Sequence, residues 1–246
     1  MEIDRDHWLS EVFCYPVFRV SGSIVSLRDL RSHYCEHSSA FYYSKLATDR
    51  VDQVRKLISA GFYVVDTAVT LGRSGVNELN GPVVAGIDVS LANPGTDGDT
   101  ILEIAEASFH YSRFHLDPLI PAGLADRVKR SWVESYLTGQ RGECLWVAHV
   151  NADAAGFLAV LSVPVGESCD RVIDLIAVSQ GFQRRGVARA LIEAFIKNAA
   201  PRSERLRVGT QAANIPSIRL YEQAGFFIDQ TQYVLHLHVK SGVPCM

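Results

Sequence analysis

Apolar positions recur along the chain in two rhythms, one helical and one alternating. In "DRVDQVRKLISAGFYVVDTAVTL", Val51, Val54, Leu57 and Ile58 share a helical face, the pattern stops at Gly61, and a β-branched run follows. Helix, glycine stop and strand are predicted in that order. A further strand is predicted in "PVVAGIDVSLA" (82–92), ahead of "NPGTDGD", the densest cluster of turn formers in the sequence. A domain boundary is placed there, near residue 95. It divides a smaller N-terminal α/β domain (1–95) from a larger one (96–246).

Past the boundary, Asp99 or Thr100 is the expected cap of a helix that runs to about His110. "IPAGLADRVKRSWVESYLTGQ" predicts a second helix, with Pro121 near its first turn and Gly139 after its end. Strands are predicted in "ECLWVAHV", "AAGFLAVLSV" and "RVIDLIAVS", antiparallel and joined by turns at Asn151–Asp153 and "PVGESC". After an amphipathic helix come a strand "RLRVGTQ", a short helix from about Ile215 to Gln223, and a β-rich tail "FFIDQTQYVLHLHV". Strands outnumber helices, an α+β pattern.

Between the strand "RVIDLIAVS" and the amphipathic helix lies Gln183-Arg184-Arg185-Gly186-Val187-Ala188. This hexapeptide is neither a P-loop nor a GxGxxG fingerprint. A helix start nevertheless offers unpaired N–H groups and a positive dipole end, and Gly186 and Ala188 leave room for a diphosphate to approach. A solvated turn with two chance arginines fits the hexapeptide alone equally well.

The flanking residues shift that balance. A strand, then Gln/Arg-x-x-Gly-x-Gly/Ala and an amphipathic helix, resembles the acetyl-CoA-binding motif of the GCN5-related N-acetyltransferases. Downstream, Asn214 opens the short helix that ends in Tyr221-Glu-Gln-Ala-Gly-Phe226, in the family's order. Within the family, "ASFHYSRFHLDPLIP" (107–121), "WVESYLTG", "LRVGTQAAN" and "LISAGFYVVDTAVTL" resemble segments of the enzymes that N-acetylate nucleotide-linked 4-amino-4,6-dideoxy sugars. That likeness is clearest from Ala107 to Tyr233 and weak before residue 50; the full-length helix after the loop and the C-terminal "SGVPCM" depart from it, so it speaks more for the acyl donor than for the sugar.

The resemblance implies an acyl-CoA N-acyltransferase fold, a mostly antiparallel sheet with splayed central strands. It implies acetyl-CoA as co-substrate, a small-molecule amine as acceptor and no metal, and it admits a homodimer. Ile176, Ala177 and Val178 match the strand whose backbone binds the pantetheine arm, and residues 183–188 match the diphosphate loop. Asn214 matches the side chain that holds the arm, although Asn is also a favoured helix cap. Tyr221 matches the general acid that protonates the departing thiolate, a task suited to a phenol whose pKa lies near that of a thiol. Arg113 is a candidate for holding an anionic part of the acceptor, with a structural ion pair as the alternative. Glu106, His110, His115 and Asp174 are candidates for the base, and a water chain would serve as well. Another amine acceptor, or an acyl-CoA-binding module without turnover, are the competing readings.

Composition removes several other classes. A formal charge of -3 argues against general nucleic-acid binding. Five cysteines without a CxxC pair suggest neither a disulfide framework nor a four-thiolate zinc site. His33, Cys35 and His37 alternate and would share a face only on a strand, whereas their neighbours read as helix or loop, so no metal is expected there; His236 and His238 alternate on a strand and are expected to be core or rim histidines. No apolar run approaches the roughly 20 residues of a membrane span. An acidic N-terminus lacking a basic start and an apolar signal core predicts a cytoplasmic protein.

Overall fold

A computed structural model describes residues 1–23, 27–74, 86–166, 168–199 and 205–245. The first part of the chain alternates short strands and helices: β1 (Glu2–Arg5), α1 (His7–Phe13), β2 (Val17–Ser21), α2 (Arg28–Cys35), β3 (Ser39–Ala47), α3 (Val51–Ser59), β4 (Tyr63–Ser74) and β5 (Ile87–Leu91). The helix, glycine and strand expected around Gly61 are α3 and β4, with Gly61 at φ 100°. Residues 82–85 of the next expected strand lie outside the described residues, and the remainder forms β5.

Two helices follow, α4 (Pro94–Ala107) and α5 (Ala122–Leu137). The start of α4 corrects the expected cap at Asp99 or Thr100. Asn93 is the cap: its side chain accepts from Gly95 N at 2.9 Å, and Asp97 accepts from Asn93 N at 2.8 Å. Pro94 takes the first helical position, where its missing N–H costs nothing. "NPGTDGD" therefore opens a helix, because cap and turn chemistry draw on the same residue types.

The remaining elements are β6 (Cys144–Val150), β7 (Asp153–Val165), β8 (Ser168–Val178), a 3₁₀ turn at Gln180–Phe182, α6 (Val187–Ala199), β9 (Arg205–Gln211), α7 (Ile215–Gln223), β10 (Phe227–Lys240) and β11 (Val243–Pro244). Among the described residues all the strands join one sheet, ordered β1-β2-β3-β10-β4-β9-β8-β7-β6-β5, with β11 on β10. Pairing is antiparallel except at β2–β3 and β8–β9. The division proposed near residue 95 falls between β5 and α4, and strands from before it pair with β6, β9 and β10 from after it.

Helices cover both faces of the sheet. Val187, Leu191, Ile192 and Phe195 of α6 pack with Leu158, Ile173 and Val208 on one side. On the other, Ile101 and Ile104 of α4 and Val133 of α5 pack with Val147, Phe157 and Leu175. Separate clusters seat α2 and α3 on β3 and β10, and α1 against α5.

One departure from regular pairing positions the site. Strands β8 and β9 run parallel and pair only at Arg171–Ile173 with Leu206–Val208. Beyond that point β8 stays bonded to β7 through Val178, while β9 stays bonded to β4 through Gln211. The two strands part, leaving one edge of Asp174–Val178 without a neighbouring strand. Splayed central strands are thus present, as the fold expectation had it.

Candidate active site

A cleft of about 900 Å³ fills the wedge between β8 and β9 and opens toward α6 and α7. Its walls include Ile176, Ala177, Val178, Gln183, Arg184, Gly186, Val187, Ala188, Asn214 and Tyr221. Residues far apart in sequence therefore meet at one cavity.

At one end is the 183–188 loop. Gln183 is extended and its side chain donates to Val178 O at 3.3 Å; Arg184 (φ 60°) and Gly186 (φ 87°) have left-handed backbones. Glycine adopts that conformation without steric cost, whereas an arginine there is uncommon. None of the N–H groups of residues 184–188 has a hydrogen-bond partner among the described residues. Such a concavity of unsatisfied donors at the start of α6 suits an anionic diphosphate. Arg184 and Arg185 are exposed at its rim; Arg185 lies over the Phe182 ring at 5.6 Å and does not line the cleft.

In the middle of the wedge, the unpaired edge of Ile176–Val178 offers backbone groups to an extended arm. Asn214 caps α7, its Oδ1 accepting from Ser217 N at 3.3 Å. Its amide nitrogen has no partner among the described residues, so capping leaves a donor facing the cleft. Tyr221 is 3% exposed, its ring 6.1 Å from Phe226, and its hydroxyl has no partner among the described residues. Burial raises the phenol above its ordinary value, so it keeps its proton until a strong base arrives beside it.

At the far end the expected residues separate. Asp174 and His110 line the cleft; Glu106 and His115 do not. Glu106 pairs with Arg130, and both ring nitrogens of His115 are engaged, by Ser112 and Asp126. Three donors converge on Asp174 Oδ2: Trp132 Nε1 at 2.9 Å, Tyr136 OH at 2.7 Å and Arg141 Nε at 2.9 Å. Arg113 is not in the lining either. Its guanidinium lies between the rings of Tyr43 (4.0 Å) and Phe114 (4.4 Å), and Nη1 is buried without a partner. It sits behind the wall, where its charge still acts on its neighbours.

Several residues of this end carried no signal in the sequence. Lys45 and Lys129 line the cleft, together with Trp132. Asp66 is buried with Oδ2 unbonded, and burial pushes its carboxyl up to about 6. Asp117 is a further surprise. It accepts from Tyr63 OH (2.7 Å), Leu119 N (2.9 Å), His236 Nδ1 (2.6 Å) and His238 Nε2 (2.9 Å).

Asp117, His236 and His238 bring their ligand atoms within 4.8 Å of one another, close enough to hold an ion. Their mutual separations are hydrogen-bond distances, however, and the carboxylate is already engaged by four donors. Burial alone would raise the Asp117 carboxyl, but the bonds from both histidines and Tyr63 hold it below the usual range. Burial lowers His236 to about 4, which keeps the ring neutral with Nδ1–H donating. The alternating His33 and His37 pack on Phe18, and His33 bonds Tyr42 OH at 2.8 Å. Among the described residues no helix is long and apolar enough to cross a membrane.

Comparison with known proteins bears on the family and the fold. Residues 101–226, which run from within α4 through α5, the wedge and the loop to beyond Tyr221, match the Acetyltransferase (GNAT) family. The spore coat polysaccharide biosynthesis protein SpsD of Bacillus subtilis is 33% identical over 147 residues, 58% of this chain and 49% of that protein. The chain thus spans about half the length of SpsD. The dTDP-fucosamine acetyltransferase of Escherichia coli is 26% identical over 197 residues, 78% of this chain and 80% of its own. A GCN5-related N-acetyltransferase from Kribbella flavida shares the fold, with a TM-score of 0.62, 11% identity, and coverage of 95% of this chain and 83% of its own. With the splayed strands, the N–H-lined loop and the tyrosine at the end of α7 in the family's order, the chain belongs to the GNAT acetyltransferase family.

Proposed function

We propose that the protein transfers acetyl from acetyl-CoA to the primary amine of a small acceptor, a nucleotide-linked 4-amino-4,6-dideoxy sugar. The observation that carries the reaction is the continuous path from the N–H concavity of residues 184–188, along the unpaired edge of Ile176–Val178, to the Tyr221 hydroxyl. A diphosphate, an extended arm and a departing sulfur require those three features in that order. The relatives support the sugar: one is a spore coat polysaccharide biosynthesis protein and the other a dTDP-fucosamine acetyltransferase.

Acetyl-CoA supplies an activated thioester carbon. The chain's own residues do the rest. N–H groups of residues 184–188 hold the diphosphate, and the β8 edge aligns the arm and polarises the carbonyl. As the acceptor nitrogen bonds to the carbonyl carbon and the C–S bond breaks, the Tyr221 hydroxyl gives its proton to sulfur, and the second proton that the nitrogen loses on becoming an amide passes through solvent to reprotonate Tyr221. The acceptor's ammonium must first lose a proton. Asp174 lines the cleft and its Oδ2 is held by three donors, which leaves Oδ1 as the oxygen that receives that proton, directly or through water.

The test is thiol release from acetyl-CoA across a panel of amines that includes dTDP-linked 4-amino-4,6-dideoxy sugars, amino acids and polyamines. Release with the dTDP-linked sugars at the highest kcat/KM is expected. Preference for a polyamine would refute the sugar assignment, and release with no amine would refute the enzymatic reading.

A further inference from the structure

Lys45 on β3 and Lys129 on α5 approach the acceptor end of the cleft from opposite sides, one from the sheet and one from the helix covering it. Both line the cavity. Neither ammonium has a hydrogen bond or a carboxylate within 4 Å among the described residues. The neighbouring acids are otherwise occupied or displaced: Asp174 is taken by Arg141, Trp132 and Tyr136, and Asp66 lies across the sheet, in register with Lys45 through Val234. Lys129 is 7% exposed, and its ammonium lies against two aromatic rings, Phe109 at 4.6 Å and Trp132 at 4.9 Å. Behind the wall, Arg113 adds a third positive charge with a buried, unbonded Nη1.

A buried charge without a partner is costly, and a ligand that supplies the opposite charge removes that cost. We propose that Lys45 and Lys129 together bind anionic oxygens of the acceptor, and that they select an anionic amine over a neutral one. The inference rests on the acetyl-transfer reading for its substrate, but the site itself is defined by the two lysines and the cleft. Phosphoryl oxygens of a nucleotide-linked sugar and the carboxylate of an amino acid share the required chemistry.

Electrostatics support the assignment. Burial, with Arg113 nearby, lowers Lys45 to about 8, and burial likewise holds Lys129 at about 8 despite Asp174. Lys45 is exposed by accessible surface, so water still reaches its charge, whereas Lys129 is buried. An incoming anion restores full charge to both groups, so affinity and protonation rise together.

At saturating acetyl-CoA, acceptor kinetics are compared for a dTDP-linked 4-amino-4,6-dideoxygalactose, the methyl glycoside of the same amino sugar, and L-aspartate. The expected result is a KM at least tenfold lower for an anionic acceptor than for the glycoside. Lys45→Met and Lys129→Met are each expected to raise the anionic acceptor's KM about ten- to hundredfold, the range of a charge-assisted bond. The glycoside's KM and the acetyl-CoA KM stay within twofold, and Lys129→Arg recovers part of the loss. Preference for L-aspartate with the same variant pattern upholds the lysine site and overturns the nucleotide sugar as its source. Equal use of the glycoside, or equal loss for charged and neutral acceptors, overturns the proposal.

If no amine releases thiol, the acetyl-transfer reading fails, and calorimetric titration of the CoA-saturated protein with pyrophosphate decides the site. Binding weakened tenfold or more in Lys129→Met and in Lys45→Met supports it. Absent binding, or binding unchanged in both variants, overturns it.

Discussion

Replacing Tyr221 with phenylalanine separates catalysis from packing at one atom. The ring is buried and stays; only the hydroxyl is lost, and that hydroxyl has no partner among the described residues. No buried donor or acceptor is orphaned by its removal, so the stability change is expected to stay within about 1 kcal/mol. For a chain of this size that corresponds to roughly 2–4 °C in Tm. Loss of a positioned acid, by contrast, is expected to lower kcat about 100- to 10,000-fold, or roughly 2.7 to 5.4 kcal/mol of barrier. Because burial raises the phenol above its ordinary value, the wild-type protein retains this acid to about pH 10 and above. The assay is single-turnover thiol release under acetyl-CoA saturation, with CoA affinity measured separately by calorimetry. Undiminished single-turnover rates, or a loss accounted for by weaker CoA binding, would refute the assignment of Tyr221 as the acid.

Gly186→Val places a branched side chain where φ is 87° and a diphosphate must approach; CoA affinity is expected to fall at least tenfold by calorimetry, and unchanged affinity would remove the loop from the site. Gly156→Ala sets a Cβ 2.7 Å from Ala177 O and 3.2 Å from Val178 Cα, so β8 must shift; a loss of about 1–3 kcal/mol in urea unfolding, with a raised acetyl-CoA KM, is expected. Asp117→Asn turns an amide donor or a weaker acceptor toward four existing donors, and a loss of about 3–5 kcal/mol, read as a Tm lower by roughly 6–20 °C, is expected; an unchanged Tm would show that the cluster is not holding β10 to the 117–119 segment. On acidification from about pH 6.5 to 4, His236, at about 4 when folded, takes up its proton less readily than in the unfolded chain and costs stability, whereas Asp66, raised to about 6, takes one up more readily and adds stability. Asp66→Asn removes the second contribution, so its stability is expected to fall more steeply than the wild type's over that window, by about 2 kcal/mol; parallel urea profiles would contradict the assignment.

The half of the cleft proposed to hold the acyl donor was legible because its chemistry is local. A diphosphate loop must join a strand to a helix start within a few residues, so Gln183 to Ala188 bear the mark in their order. Tyr221 and Asn214 are likewise tied by one short helix. The half proposed to hold the acceptor was not legible, since it is assembled from β3, α5 and β8, and no spacing connects Lys45 to Lys129. Lys129 lies in "ADRVKRSW", a stretch whose charges look like an ordinary solvated helix face until Trp132 and Phe109 close over one of them. Arg113 was the cation singled out in sequence, yet its ring contacts with Tyr43 and Phe114 place it behind the wall. Asp117 gave no sign because its partners come from β4 and β10. The early start of α4 escaped notice because Asn93 and Asp97 cap a helix with residues that also favour turns.

Strand β10 lies between β3 and β4, pairing Tyr43 and Tyr63 alike with His236. During synthesis both earlier strands leave the ribosome long before the strand that joins them. Each then carries a row of unsatisfied N–H and C=O groups, the kind of edge that recruits strands from other molecules. Closure across nearly the whole chain also slows the final step of folding, when loop entropy must be overcome before the pairing forms. A chain stalled or cut before Phe227 would present two open edges at once, and its characteristic fate would be aggregation during expression rather than a smaller folded protein.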